Sequence, residues 1–162
     1  MTFPHSQNIY LIMIKTLTIY STVGGNTELV VKKVHSLLLQ KDISNDLQRV
    51  DVTKPEDILN YDLIILASPT YNQGTLEDHF KPFIKAWKKV DISGKNFAAI
   101  GLGTPKFYPE YLTEATSIIE DLIKQNKGNV LIPGLRIGAN PLKFIDSLVP
   151  RWVDKLVEAA KV

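Results

Sequence analysis

Apolar and β-branched residues gather in five short runs, at positions 17–20, 47–52, 63–67, 97–100 and 130–137. Runs of this length and composition predict strands. Between them apolar residues recur at helical spacing: over 27–40 (Val30, Val34, Leu37, Leu38), over 76–89 (Phe80, Phe83, Ile84, Trp87) and over 111–127 (Ala115, Ile118, Ile119, Leu122, Ile123). A last helix is expected near 143–160. Strands alternating with helices over short loops predict an α/β domain whose parallel sheet is covered on both faces, because right-handed crossovers place the helices there. The second crossover is shorter. Thr53-Lys54-Pro55-Glu56 reads as a capping box with a proline near the first turn and predicts a brief helix through Leu59. Gly128 reads as the stop of the helix that ends at Lys127. Pro82 belongs in the early part of its helix, and Trp87 and Trp152 fall at core-facing positions. Residues 1–12 precede the regular pattern as an appendage, or extend an edge of the sheet. A single domain is expected over 13–162.

Composition narrows the classes. Forty-four per cent of the 162 residues are hydrophobic and 22% charged, which excludes collagen, coiled coil and wholesale disorder. The chain has no cysteine, so thiol catalysis, disulfides and iron–sulfur ligation are out. A formal charge of +2 does not mark nucleic acid or a membrane surface as the partner. The longest apolar run covers only positions 9–14, far short of the twenty or so residues that span a bilayer, so no membrane span is expected. A secretory signal is not expected either, since residues 1–8 carry no Lys or Arg. His5, His35 and His79 are too scattered to suggest a metal site.

In an open α/β sheet ligands sit at the carboxyl ends of the strands, so the loops after strands one, three and four are the informative segments. The first is Tyr20-Ser21-Thr22-Val23-Gly24-Gly25-Asn26-Thr27-Glu28. Its glycines allow a tight turn, and Ser21, Thr22, Asn26 and Thr27 place neutral donors beside the amides that open a helix, where an anion is favoured. Without a Lys it is no nucleoside triphosphate P-loop, and Gly24-Gly25 does not make the dinucleotide fingerprint. An ordinary capped strand-to-helix turn is the plainer alternative. The second loop, Ser68-Pro69-Thr70-Tyr71-Asn72-Gln73-Gly74-Thr75-Leu76, turns sharply and offers Tyr71 as a stacking platform or as a plain loop aromatic. The third runs Gly101-Leu102-Gly103-Thr104-Pro105-Lys106-Phe107-Tyr108-Pro109-Glu110-Tyr111, and its aromatics suit a flat ligand or the helix that follows.

Taken together the three loops resemble the flavodoxin family, from about Lys15 to the end of the chain. Thr22, Gly25, Asn26 and Thr27 are similar to the family's phosphate loop. Pro69, Thr70, Asn72, Gly74 and Leu76 match a Pro-Thr-Trp-Asn-x-Gly-x-Leu pattern, with Tyr71 where many members have Trp. Gly101 and Gly103 match the Gly-x-Gly of the third loop, and Tyr108 falls at its tyrosine. The resemblance implies a doubly wound five-stranded parallel sheet in the order 2-1-3-4-5, in the short-chain form that lacks an insertion in strand five. It implies bound FMN, with phosphate on Ser21, Thr22, Val23, Gly24, Gly25, Asn26 and Thr27. The ring would lie between Tyr71 and Tyr108, beside the loop of Pro69, Thr70, Asn72, Gln73 and Gly74. Backbone groups of Gly101, Leu102, Gly103 and Thr104 would face the pyrimidine edge. It further implies a cytoplasmic, monomeric single-electron carrier that docks transiently with redox partner proteins. The flavin would pass through oxidised, neutral semiquinone and hydroquinone states, and the Asn72 carbonyl would accept a hydrogen bond from N5. No catalytic residue is assigned.

Three departures bear on function. Gly24 stands where the family usually has a hydroxyl residue, which removes one phosphate ligand at about 1 kcal/mol. Thr104 replaces the usual Asp and Lys106 adds a cation, so the hydroquinone should form more readily than in an acidic relative. Typical members are strongly acidic, whereas this chain has a computed pI near 8.7. Basic partners are therefore not implied, and Lys81, Lys85, Lys88 and Lys89 read as a solvated face or as a patch for an acidic partner. His79 reads as a solvated helix histidine. Two alternatives stand beside the carrier: an FMN/NAD(P)H or quinone reductase of the same fold, and a flavin-free binding module.

Overall fold

The computed structural model describes residues 14–71, 75–103, 113–138 and 140–161. In chain order the elements are β1 (Lys15–Tyr20), α1 (Asn26–Gln40), β2 (Ser44–Arg49), 3-10 turns at Val50–Val52 and Pro55–Asn60, β3 (Leu63–Tyr71), β4 (Thr75–Leu76) and α2 (Phe80–Trp87). There follow β5 (Asn96–Leu102), α3 (Glu114–Gln125), β6 (Asn129–Val130), β7 (Leu135–Ile137), a 3-10 turn at Pro141–Lys143 and α4 (Leu148–Ala160).

The sheet runs β2-β1-β3-β5-β6, with β7 also on β5 and β4 on β3. All pairings are parallel except β3 with β4. This is the expected doubly wound order, with the outermost position shared by two short strands. Alternate residues of the inner strands go to opposite layers, as the two-residue period of a strand requires. Leu63, Ile65, Ala67, Ala98 and Ile100 meet Val30, Val34 and Leu38 of α1 and Val153 and Leu156 of α4. Leu17, Ile19, Ile64, Leu66, Phe97 and Ala99 meet Phe80, Phe83 and Trp87 of α2 and Ile119 and Ile123 of α3.

Several boundaries differ from the sequence pattern, each for a local reason. The second strand covers Ser44–Arg49 and stops where 47–52 was expected to continue. As an edge strand it tolerates polar residues, and Asn45 is held by the Thr18 hydroxyl at 2.9 Å and by His35 Nδ1 at 2.8 Å. The short crossover is a 3-10 turn whose box is shifted by one residue: Asp57 Oδ2 accepts from the Lys54 amide at 3.1 Å, while the Thr53 hydroxyl donates to the Arg49 carbonyl at 2.7 Å. The helix expected from residue 76 begins at Phe80, because Thr75 and Leu76 instead pair back onto Tyr71 and Thr70. The fifth strand breaks at Pro133, which has no amide to donate. Side chains satisfy the break: Trp152 Nε1 donates to the Pro133 carbonyl at 3.0 Å, and Glu120 accepts from the Gly134 amide at 3.0 Å. The left-handed residue that ends α3 is Lys127, at φ 66°, rather than Gly128. The helix expected over 143–160 starts at Leu148. Residues 1–12 lie outside the described residues.

Trp87 packs edge-to-face on Phe97 at 5.7 Å, yet its buried Nε1 has no hydrogen-bond partner among the described residues. A buried unmade bond is a cost that Phe does not carry. Trp87→Phe should therefore change stability by less than about 1.5 kcal/mol, whereas Trp87→Ala should lose about 3–5 kcal/mol. Urea unfolding checks this, and equal losses for the two variants would contradict it.

Candidate functional site

The in-register pairing of β1, β3 and β5 brings three loops to one rim. Tyr20 lies opposite Ala67, and Ser68 and Pro69 lie opposite Gly101 and Leu102. At about 4.8 Å between neighbouring strands, the bases of the three loops span about 10 Å.

The first loop leaves β1 with the Ser21 amide still bonded to the Ala67 carbonyl at 3.1 Å. Gly24 and Gly25 then take φ values of 80° and 90°, a left-handed region that favours glycine. Gly25 is the N-cap of α1 and has no side chain to cap the amides that open the helix. Ser21 and Thr27 are buried, Thr22 and Gly25 half-buried, and Val23, Gly24 and Asn26 exposed. Ser21 Oγ and Thr22 Oγ1 are both buried with no hydrogen-bond partner among the described residues. Two unpartnered hydroxyls beside an uncapped helix start suit a phosphate, whose oxygens accept from all of them. No Lys or Arg lies in positions 20–28, so neutral donors alone would meet a phosphate there. The neighbouring carboxylate, Glu28, is occupied: Tyr20 OH donates to it at 3.1 Å and Lys32 lies 3.5 Å away.

In the second loop Ser68 is fully buried, and its Oγ accepts from the Glu77 amide at 3.2 Å while donating to the Pro69 carbonyl at 2.8 Å. Thr70 Oγ1 accepts from the Ala115 amide at 3.1 Å, so this residue ties the loop to the first turn of α3. Tyr71 is half-buried at the end of β3, where its carbonyl accepts from the Thr75 hydroxyl at 3.0 Å. Burial, then the nearby Glu77 and Asp78 carboxylates, push its phenol above the ordinary range and keep it neutral. Asn72, Gln73 and Gly74 lie outside the described residues.

In the third segment Gly101 sits against α3, where a Cβ would strike the Thr116 hydroxyl and come within 2.6 Å of the Thr116 amide nitrogen. Leu102 turns its side chain into the core, leaving only its backbone for the rim, and the Gly103 amide donates to the Ile137 carbonyl at 3.0 Å. Thr104 and Tyr108, with Lys106, lie outside the described residues.

The structure adds residues that the sequence patterns passed over. Arg136, a lone cation between Leu135 and Ile137, donates to the carbonyl and hydroxyl of Thr113 at 3.2 and 3.3 Å and to Ser117 Oγ at 2.7 Å. It thereby fixes the point where the chain re-enters α3 after the third loop. Glu77 is 2% exposed, and its carboxylate accepts from the His79 amide at 2.9 Å and bonds His79 Nδ1 at 2.6 Å. His79 is exposed, as expected, but it is not merely solvated: it is the partner of a buried carboxylate under the Tyr71 hairpin. Residue spacing carries no signal for an i, i+2 pair of this kind.

Comparison with known proteins agrees with this geometry. A family model described as Flavodoxin matches residues 18–147. The chain is 30% identical over 135 residues to a probable flavodoxin 2 of Bacillus subtilis (strain 168), covering 80% of this chain and 85% of that one. It is 32% identical over 110 residues to a flavodoxin of Buchnera aphidicola, covering 66% of this chain and 61% of that relative's length. Among solved structures, oxidised flavodoxin 2 of Bacillus cereus superposes with a TM-score of 0.78 at 27% identity, covering 90% of this chain and 97% of that chain. A variant of Fusobacterium nucleatum flavodoxin bound to flavin mononucleotide shares the fold, at a TM-score of 0.73 and 22% identity, over 92% of this chain and 97% of that chain.

The hydrogen bond to Glu77, and then its charge, raise the His79 pKa above the ordinary value of about 6.5. A raised folded value means that the stabilisation is complete below the unfolded value and fades as pH rises through the folded one. Unfolding midpoints measured from about pH 5 to about pH 9 should therefore converge for the parent and His79→Gln at the alkaline end and separate at the acid end. Parallel profiles would contradict the pairing.

Proposed function

The chain belongs to the flavodoxin family, and we propose that it works as an electron carrier that holds FMN at this rim and exchanges single electrons with redox partner proteins. The observation that carries the reading is the pair of buried hydroxyls, Ser21 Oγ and Thr22 Oγ1, without a partner among the described residues, at the uncapped start of α1. Leaving such groups desolvated costs roughly 1–3 kcal/mol each, and a bound phosphate removes that cost. Bound FMN supplies redox chemistry in one- and two-electron steps. The protein's residues bind, orient and shield. Ser21, Thr22, Asn26 and Thr27, with the amides around Gly24 and Gly25, hold the phosphate. By the family resemblance, Tyr71 and Tyr108 would flank the ring and exclude water, backbone groups of Gly101 to Thr104 would face its pyrimidine edge, and the Asn72 carbonyl would accept a hydrogen bond from flavin N5. Pro69, Thr70, Gln73 and Gly74 would shape the loop that offers Tyr71 and Asn72 to the ring.

The partners are proteins. No helix among the described residues is long and apolar enough to cross a membrane. On this reading the chain acts in the cytoplasm as a monomer, consistent with a carrier that must leave one partner to reach the next.

Ser21→Ala and Thr22→Val should each weaken FMN binding about tenfold, the equivalent of one hydrogen bond, in a flavin-fluorescence titration. The same substitutions should leave the flavin-free protein as stable as the parent or more so, since each removes an unsatisfied buried hydroxyl. Unchanged affinity with lost stability would contradict the cradle. Stepwise reduction of the FMN-loaded protein should raise and then remove a long-wavelength visible band, with no NAD(P)H oxidation unless a reductase is added. Direct two-electron reduction with rapid NAD(P)H turnover would favour a reductase instead.

A further inference from the structure

From the groove between α2 and α3 we infer that this carrier docks its partner there, and that the partner presents an acidic surface. The inference rests on the carrier reading and specifies its partner. The groove is shallow and open to solvent, with a volume of about 350 Å³. Leu76, Ile84 and Ile118 form its apolar floor, and Lys81, Lys85 and Lys88 are the only charged residues among those that line it. The lysines stand at i, i+4 and i+7, so they share one helical face and run about 10 Å along it. All three are exposed. Lys81 lies 2.9 Å from Asp78, whereas Lys85 and Lys88 have no ion-pair partner among the described residues. An apolar centre with a cationic rim is the anatomy of a transient protein interface, in which rim charges speed and orient encounter.

Position gives the groove its link to electron transfer. Leu76 belongs to β4, which pairs with Thr70 and Tyr71 at the end of β3. One wall of the groove is therefore the hairpin that presents Tyr71 to the FMN rim, and α2 starts beside it. Helix α2 leaves the rim and runs toward the start of β5, so a partner seated in the groove meets the cofactor loop at the Leu76–Lys81 end, with Lys85 and Lys88 about 6 and 10 Å farther along the helix. Carboxylates on that partner would meet Lys85 and Lys88 without displacing a native ion pair, and its apolar centre would cover Leu76, Ile84 and Ile118. A nucleic acid uses little of such an apolar floor.

The test uses the FMN-loaded chain and two forms of one probe, basic cytochrome c and its succinylated, acidic form. At an ionic strength of about 10 mM, the acidic form should bind about tenfold or more tighter than the basic form, and the preference should fade by about 0.2 M salt. Amide NMR shifts should concentrate on residues 75–89 and around Ile118. K85E/K88E should abolish the preference and K85R/K88R should retain it. Preference for the basic form, shifts elsewhere, or a preference untouched by K85E/K88E would overturn the proposal, as would tighter binding to phosphatidylserine vesicles than to the acidic cytochrome. Binding is read without electron transfer. A chain that docks as described but takes electrons only in pairs would refute the carrier reading alone, and one that transfers single electrons without charge preference would refute the docking face alone.

Discussion

Parallel pairing of β1, β3 and β5 in fixed register governs everything that happens at the rim. A slip of one residue in any of these strands would exchange its two buried faces, putting Ile64 and Leu66 where Ile65 and Ala67 belong. Because both faces are packed by helices, that slip is blocked throughout the sheet, and the loops that follow the strands inherit the precision. Ser21, bonded to Ala67, and Gly101, opposite Ser68, are therefore placed by core packing and need no ligand to position them. The Gly101 approach to Thr116 shows how tightly this is enforced, since α3 lies so close that any side chain there must displace its first turn.

On this rigid base the rim carries groups that folding alone does not use. Most buried polar side chains near the site have protein partners: Ser68 with Glu77 and Pro69, Thr70 with Ala115, Glu77 with His79. Ser21 Oγ and Thr22 Oγ1 have none among the described residues. Thr16 Oγ1 and Trp87 Nε1 also lack partners among the described residues, away from the rim, so it is the place of Ser21 and Thr22 at the start of α1 that suits them to a ligand. The second loop divides in two, with Ser68 and Thr70 serving as struts and Tyr71 left to the rim. The cradle relies on neutral donors, so its grip on a phosphate comes from hydrogen-bond geometry, with no cation among positions 20–28.

The fold was legible in the sequence because buried parallel strands write themselves as apolar runs and their covering helices as 3.6-residue periods. The central elements carried strong signals of both kinds. The edges did not. β2 is polar and, among the described residues, is paired on one side only, and the break between β6 and β7 depends on Trp152 and Glu120, distant residues that satisfy the freed backbone. At the site, Gly24, Gly25 and the hydroxyls around them point to an anion loop through residue type alone. Arg136 and the Glu77–His79 pair were invisible, because their roles arise from where the third loop returns and from a turn that replaces the first helical turn expected after Leu76.

The central claim is that the Ser21–Thr27 turn receives the phosphate of FMN and thereby sets the ring beside Tyr71. A crystal structure of the FMN-loaded protein tests it most directly. The account predicts phosphate oxygens within hydrogen-bond distance of Ser21 Oγ and Thr22 Oγ1, with the ring against Tyr71. A phosphate bound elsewhere, with those two hydroxyls still unpartnered, would contradict it.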